Sequence, residues 1–127
     1  MRLCLYVIGA YYLLFAVFMF LAPLYFYDRI PGVSMMGPYN SHFIRDAGFG
    51  MGIGGAAILW GVFKQNRTAI IIGTAWPVLH AIFHIWMWVT RGLPFDFIAF
   101  VNLTGIQIWA WLALYCAVNI KMGTRNG

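Results

Sequence analysis

The sequence predicts an all-α integral membrane protein, a four-helix bundle whose helices each span the bilayer. Three observations carry that fold class. Of the 127 residues, 63% are hydrophobic and 9% are charged, whereas soluble domains hold about 45–50% apolar and about 25% charged residues. A mean hydropathy of +0.80 leaves too few polar groups to clothe a water-facing surface. Four apolar runs each reach the roughly 20 residues needed to cross a hydrocarbon layer of about 30 Å.

The first run is Leu3–Tyr27. It exceeds the roughly 7–15 residues of a signal-peptide core, and no small-x-small cleavage site follows it, so it is read as a retained helix. The connection Asp28–Ser41 carries Pro31-Gly32 and Gly37-Pro38, the punctuation of turns. The second run, His42–Phe63, is followed by the tight Lys64–Arg67 turn and then by the third, Thr68–Thr90. Arg91–Phe95, with Gly92 and Pro94, leads to the fourth, Asp96–Ile120. Little remains for a soluble part, so residues 1–127 form one domain.

A formal charge of +5 raises the question of nucleic acid, but the basic residues sit in connections and tails and form no dense patch. They read instead as topology. Arg2, Lys64, Arg67, Lys121 and Arg125 share one side with no acid, while Arg29, Arg45 and Arg91 share the other with Asp28, Asp46 and Asp96. The excess of basic residues places the first side, with both termini, in the cytoplasm of a cell whose inner (plasma) membrane holds the chain. Cys4 and Cys116 then both lie at the cytoplasmic end, where a reducing compartment keeps them as separate thiols.

Glycine dominates the second helix. Gly50-Met51-Gly52-Ile53-Gly54-Gly55 matches a dinucleotide fingerprint by spelling, but that motif needs a preceding strand and a helix that begins at the glycines. Inside an apolar span the glycines act as packing surfaces. At about 100° per residue, Gly48, Gly52 and Gly55 form one stripe, and Gly50, Gly54 and Gly61 form another roughly opposite. Small residues let backbones approach closely in lipid, where no hydrophobic force draws helices together. Pro77 frees the Gly73 carbonyl in the third helix and predicts a kink there. Trp86 and Trp88 mark the outer interface, and Trp109, Trp111 and Tyr115 approach the inner one, as aromatic belts do.

Chemistry in such a chain resides in its intramembrane polar groups, because an ionisable side chain near mid-bilayer costs about 3 kcal/mol or more. These are His42, Arg45, Asp46, His80, His84, Asn102 and Gln107. At about 1.5 Å per residue, His80 lies near the middle of its span. His84 is then about 8 Å outward, Asp46 about 10 Å and Asn102 about 9 Å. His80 and His84 stand four apart on one helix face, a spacing that chelates a transition metal. With Asp46 and His42 they form a candidate set for copper, iron or zinc. Set against this is a structural role, in which neutral histidines, Arg45 and Asn102 make an internal polar cluster. A proton or substrate path is a third option. Gln107, about 140° around an α-helix from Asn102, continues no polar stripe. No hydrolase constellation exists, since the chain has no Glu and its only serines are Ser34 and Ser41.

The segment Ser41-His42-Phe43-Ile44-Arg45-Asp46-Ala47-Gly48, with His80-Ala81-Ile82-Phe83-His84 after it, resembles the small four-helix DoxX-like bacterial membrane proteins. The resemblance covers the whole chain in size and helix count. It implies a link to quinone or sulfur redox chemistry and carries over no catalytic residue. The expected function is a non-catalytic accessory or structural subunit of a larger membrane complex, such as an oxidoreductase. Its partners would be the bilayer and other membrane subunits or further copies of itself. The alternatives are a metal-binding redox protein built on the His/Asp set and a homo-oligomeric channel or carrier.

Overall fold

The computed structural model describes residues 1–121; Arg125, counted above among the inner basic residues, lies outside them. Four long helical stretches are apolar enough to cross a membrane. Three are single helices: α1 (Arg2–Leu21), α3 (Ser41–Phe63) and α4 (Arg67–Thr90). The fourth, Phe97–Asn119, joins α5 (Phe97–Asn102) to α6 (Ile108–Asn119) through a π-helical segment, Leu103–Gln107. A short α2 (Pro23–Arg29) and a 3₁₀ turn, Val33–Met36, occupy the first connection.

The expected unbroken helix Leu3–Tyr27 is therefore corrected. Ala22 leaves helical geometry at φ −130°, ψ 55°, because the Pro23 ring crowds the residue before it and supplies no N–H to the turn above. The carbonyls at the end of α1 must then find other donors. Ala22 N–H donates to Phe18, and Arg45 Nε of α3 donates to the Phe20 carbonyl at 3.1 Å. The Arg67 guanidinium does the same at the opposite end of the bundle, donating to the Ala117 and Val118 carbonyls of α6.

Each later span begins on a side-chain cap. Asn40 accepts from His42 and Phe43 N–H, Asn66 from Ala69 N–H, and Asp96 from Ala99 N–H. The Ala99 N–H, with Arg91 beside it, holds the Asp96 carboxyl below the usual carboxylate range, so this cap persists as pH falls until that lowered value is passed. Helices α3 and α4 end alike. Asn66 N–H reaches Gly61 O and Gln65 N–H reaches Val62 O, and the same pattern links Leu93 to Trp88 and Gly92 to Val89. These paired bonds require a left-handed residue just past the helix. Gly92 supplies it at φ 84°, and Gln65 supplies it at φ 54°.

The spans close into a ring, with α3 against α1 and α4, and α6 against α4 and α1. Leu5, Ile8, Tyr12, Ala16 and Met19 recur every three or four residues along α1 and form the core with Ile58 and Val62 of α3 and Ala113 and Ala117 of α6. Both cysteines are free thiols, Cys4 half-buried and Cys116 buried.

The glycines of α3 set how close its neighbours come. A Cβ on Gly48 would lie 3.2 Å from Met19 Cβ, on Gly52 3.2 Å from Ala16 Cβ, and on Gly55 2.8 Å from Gly9 O, all on α1. On the other face, a Cβ on Gly50 would lie 2.5 Å from Trp76 Nε1 and on Gly61 2.6 Å from the Ile70 side chain, both on α4. Gly54 and Gly73 are reciprocal: a Cβ on either would lie 2.8 Å from the other's carbonyl oxygen. Pro77 leaves that Gly73 carbonyl without its helical donor, and the Cα–H of Gly54 faces it as a weak substitute. Helix α4 runs on through Pro77.

Gly54→Ala sets a methyl group against rigid backbone, so a loss of about 1–3 kcal/mol is expected, measured as the unfolding midpoint in detergent. Gly105→Ala, whose new Cβ meets only the Tyr11 hydroxyl at 4.0 Å, is expected to leave the midpoint unchanged.

Candidate functional site

The site forms where α4 meets the π-helical segment. Ile108 N–H bonds back to Leu103 O, five residues earlier, so the backbone here makes a wider turn than an α-helix. Side chains five positions apart are thereby brought onto one face. Asn102 and Gln107 are such a pair, and Gln107 Nε2 donates to Asn102 Oδ1 at 3.1 Å. The expectation that Gln107 stands away from the polar stripe is corrected: its 140° offset assumed α-helical winding through a segment that is not α-helical.

Gln107 is fully engaged. Its Nε2 also donates to the Ala81 carbonyl of α4 at 2.9 Å, and its Oε1 accepts from Trp111 Nε1 at 2.9 Å. Asn102 Nδ2 meets His84 Nδ1 at 3.0 Å. The His84 ring is edge-on to His80 at a centroid separation of 4.5 Å, and His80 is stacked on Trp76 at 4.7 Å and 13°. Trp76, His80 and His84 follow one another at intervals of four along α4, on one face. The result is a continuous polar and aromatic track across α4, α5 and α6.

From the opposite side α1 pins the π segment. Tyr11 donates its hydroxyl to Gly105 O at 2.8 Å, and its ring stacks on Trp109 at 4.8 Å. Wide turns leave carbonyls out of register with the helical ladder, and buried carbonyls need donors. Thr104 Oγ1 bonds within its own helix, to Phe100 O at 2.9 Å.

The four candidate metal ligands stand as two pairs. His80 and His84 meet on α4; His42 Nε2 and Asp46 Oδ2 meet at 3.3 Å on an exposed turn of α3. Among the described residues no group of three or more His, Cys, Asp or Glu side chains is close enough to hold a metal ion. Arg45 is engaged with the end of α1, and Asn102 with His84 and Gln107. Sequence reasoning missed Gln107, Trp111, Trp76 and Tyr11 as members of the site. An Asn and a Gln five apart in an apolar span were the available signal for the first.

His80 and His84 remain half-buried. His84 Nε2 and both ring nitrogens of His80 meet no hydrogen-bond partner among the described residues. The arrangement is a half-open imidazole pair, braced from behind by a closed amide network. No known family model, curated protein or solved structure matches the chain.

Replacing Gln107 with Leu removes three hydrogen bonds and strands the Trp111 indole and the Asn102 oxygen. A loss of about 1–3 kcal/mol is expected, read from unfolding in detergent, whereas Thr104→Val is expected to stay within about 0.5 kcal/mol.

Proposed function

We propose that this chain is a non-catalytic subunit of a larger complex in the inner (plasma) membrane, with both termini in the cytoplasm. It meets its partner through the face formed by α4 and the last span. One observation carries the reading. The most apolar window of Phe97–Asn119 is only 11% buried, against 39% for Ser41–Phe63, yet the half-open imidazole pair lies beside this little-covered span. Lipid can cover exposed Phe100 or Leu103, but it offers nothing to a ring nitrogen. A second membrane chain covers both kinds of surface at once.

Packing by small residues supports this role, because α3 carries glycine contacts on both faces and seats α1 and α4 against itself. The last span completes the core through Ala113 and Ala117 and leaves the rest of its surface spare. The basic residues support the orientation. Arg2 approaches Gln65 at 3.5 Å, and Arg67 binds the end of α6, so Arg2, Lys64, Arg67 and Lys121 gather at one end, as cytoplasmic ends do.

Purification from native membranes in mild detergent should bring down a fixed set of larger membrane chains, identified by mass spectrometry. A lone monomer overturns the subunit reading. For the orientation, a Ser34→Cys variant lacking Cys4 and Cys116 should react with a membrane-impermeant maleimide on intact spheroplasts. Reaction only after lysis reverses the topology.

A further inference from the structure

We infer that His84 is held as the neutral tautomer with its proton on Nε2, so that the site presents a hydrogen-bond donor to a neutral oxygen acceptor and is closed to divalent metal. The inference rests on the subunit reading only for the source of that acceptor, a carbonyl, amide or hydroxyl oxygen on a neighbouring transmembrane helix.

Two groups at the site cannot change roles. The Ala81 carbonyl only accepts, and the Trp111 indole N–H only donates. Gln107 touches both, at 2.9 Å each, so its nitrogen must face Ala81 and its oxygen must face Trp111. That nitrogen also faces Asn102, so Asn102 must turn its oxygen to Gln107. Its own NH₂ is then left for His84 at 3.0 Å. An amide NH₂ facing Nδ1 requires a bare lone pair there, and a neutral imidazole with Nδ1 bare carries its proton on Nε2. One backbone carbonyl and one indole thus set the proton position on a ring two side chains away.

Metal binding needs the reverse. A coordinating neutral histidine offers one nitrogen's lone pair and donates the N–H of the other to an acceptor behind it. Coordination through His84 Nε2 would move the proton to Nδ1, against the Asn102 NH₂, and Nδ1 itself is already taken. The four-residue spacing of His80 and His84 suits a chelate, but the support behind His84 has the wrong polarity.

A donor in hydrocarbon requires an acceptor. His84 lies about 8 Å from mid-span, while the hydrocarbon boundary is about 15 Å from the midplane. Lipid ester oxygens and interfacial water are therefore distant, and a protein oxygen at the same depth fits.

The test uses the full chain with ¹⁵N-labelled histidine rings, in nanodiscs, by nuclear magnetic resonance. His84 should show a bare Nδ1 and a protonated Nε2, unmoved by one equivalent of Zn²⁺. A proton on Nδ1, or Zn²⁺ bound through His84, overturns the inference. Asn102→Asp offers oxygen to both neighbours, so it should shift the proton to Nδ1 and strengthen Zn²⁺ binding by about 10–100-fold. If that variant does not fold, Gln107→Leu frees Asn102 to turn and should replace the single tautomer with a mixture; an unchanged single tautomer overturns the relay.

In the complex purified with its partners, the Nε2 resonance should move relative to the isolated chain. An unmoved resonance, or a shift produced instead by a lipid extract, overturns the assignment of the acceptor to a protein. Absence of any partner with the tautomer intact defeats the subunit reading alone.

Discussion

The backbone contact between Gly54 and Gly73, matched on the far side of α3 by Gly55 against Gly9, governs the rest of this bundle. Lipid gives apolar helices no reason to leave it for one another, so association depends on how many atoms can be brought into close contact. Glycine at these points lets three helices meet backbone to backbone. Pro77 adds to this, because the carbonyl that it strips of a donor is the one aimed at Gly54. With α1, α3 and α4 seated in this way, α6 needs few core contacts and fills the remaining side with Ala110, Ala113 and Ala117.

That economy explains why the last span can depart from regular winding. A π-helical turn gives up good hydrogen-bond geometry and is uncommon, but here its irregular backbone is answered from both sides. Tyr11 takes the Gly105 carbonyl, and Gln107 and Asn102 reach across to α4. In return, the wider turn aligns two amides that an α-helix would hold apart. The polar track is thus a product of the distortion, and the track in turn sustains it.

Much of the architecture is legible from residue pattern. Four apolar runs and their turn residues correspond to the four spans, and the periodicity of six glycines on α3 corresponds to its two packed faces. Pro23 was as readable as Pro77, and the break at Ala22 follows from the same steric rule. The site is another matter. Hydropathy and periodicity presume one helical repeat, and nothing in Leu103–Gln107 announces a π turn, so an angle computed from 3.6 residues per turn separated Gln107 from the group it completes. Pairing within the His/Asp set was equally hidden, since similar depth on neighbouring helices does not say which faces meet. The left-handed Gln65 is also silent in sequence, because glycine is the usual residue there.

The two arginine caps have a bearing on how such a chain is made. When α1 enters the bilayer its Phe20 carbonyl lacks the donor that it has in the finished bundle, since the guanidinium that answers it lies 25 residues downstream, on Arg45. When α6 enters, its donor is already waiting, since Arg67 precedes Ala117 by 50 residues. Biogenesis therefore begins with a span that is electrostatically incomplete and ends with one that completes on arrival. The first stays unfinished until its successor is translated, and the last locks as it lands, giving assembly a built-in direction from amino to carboxyl end.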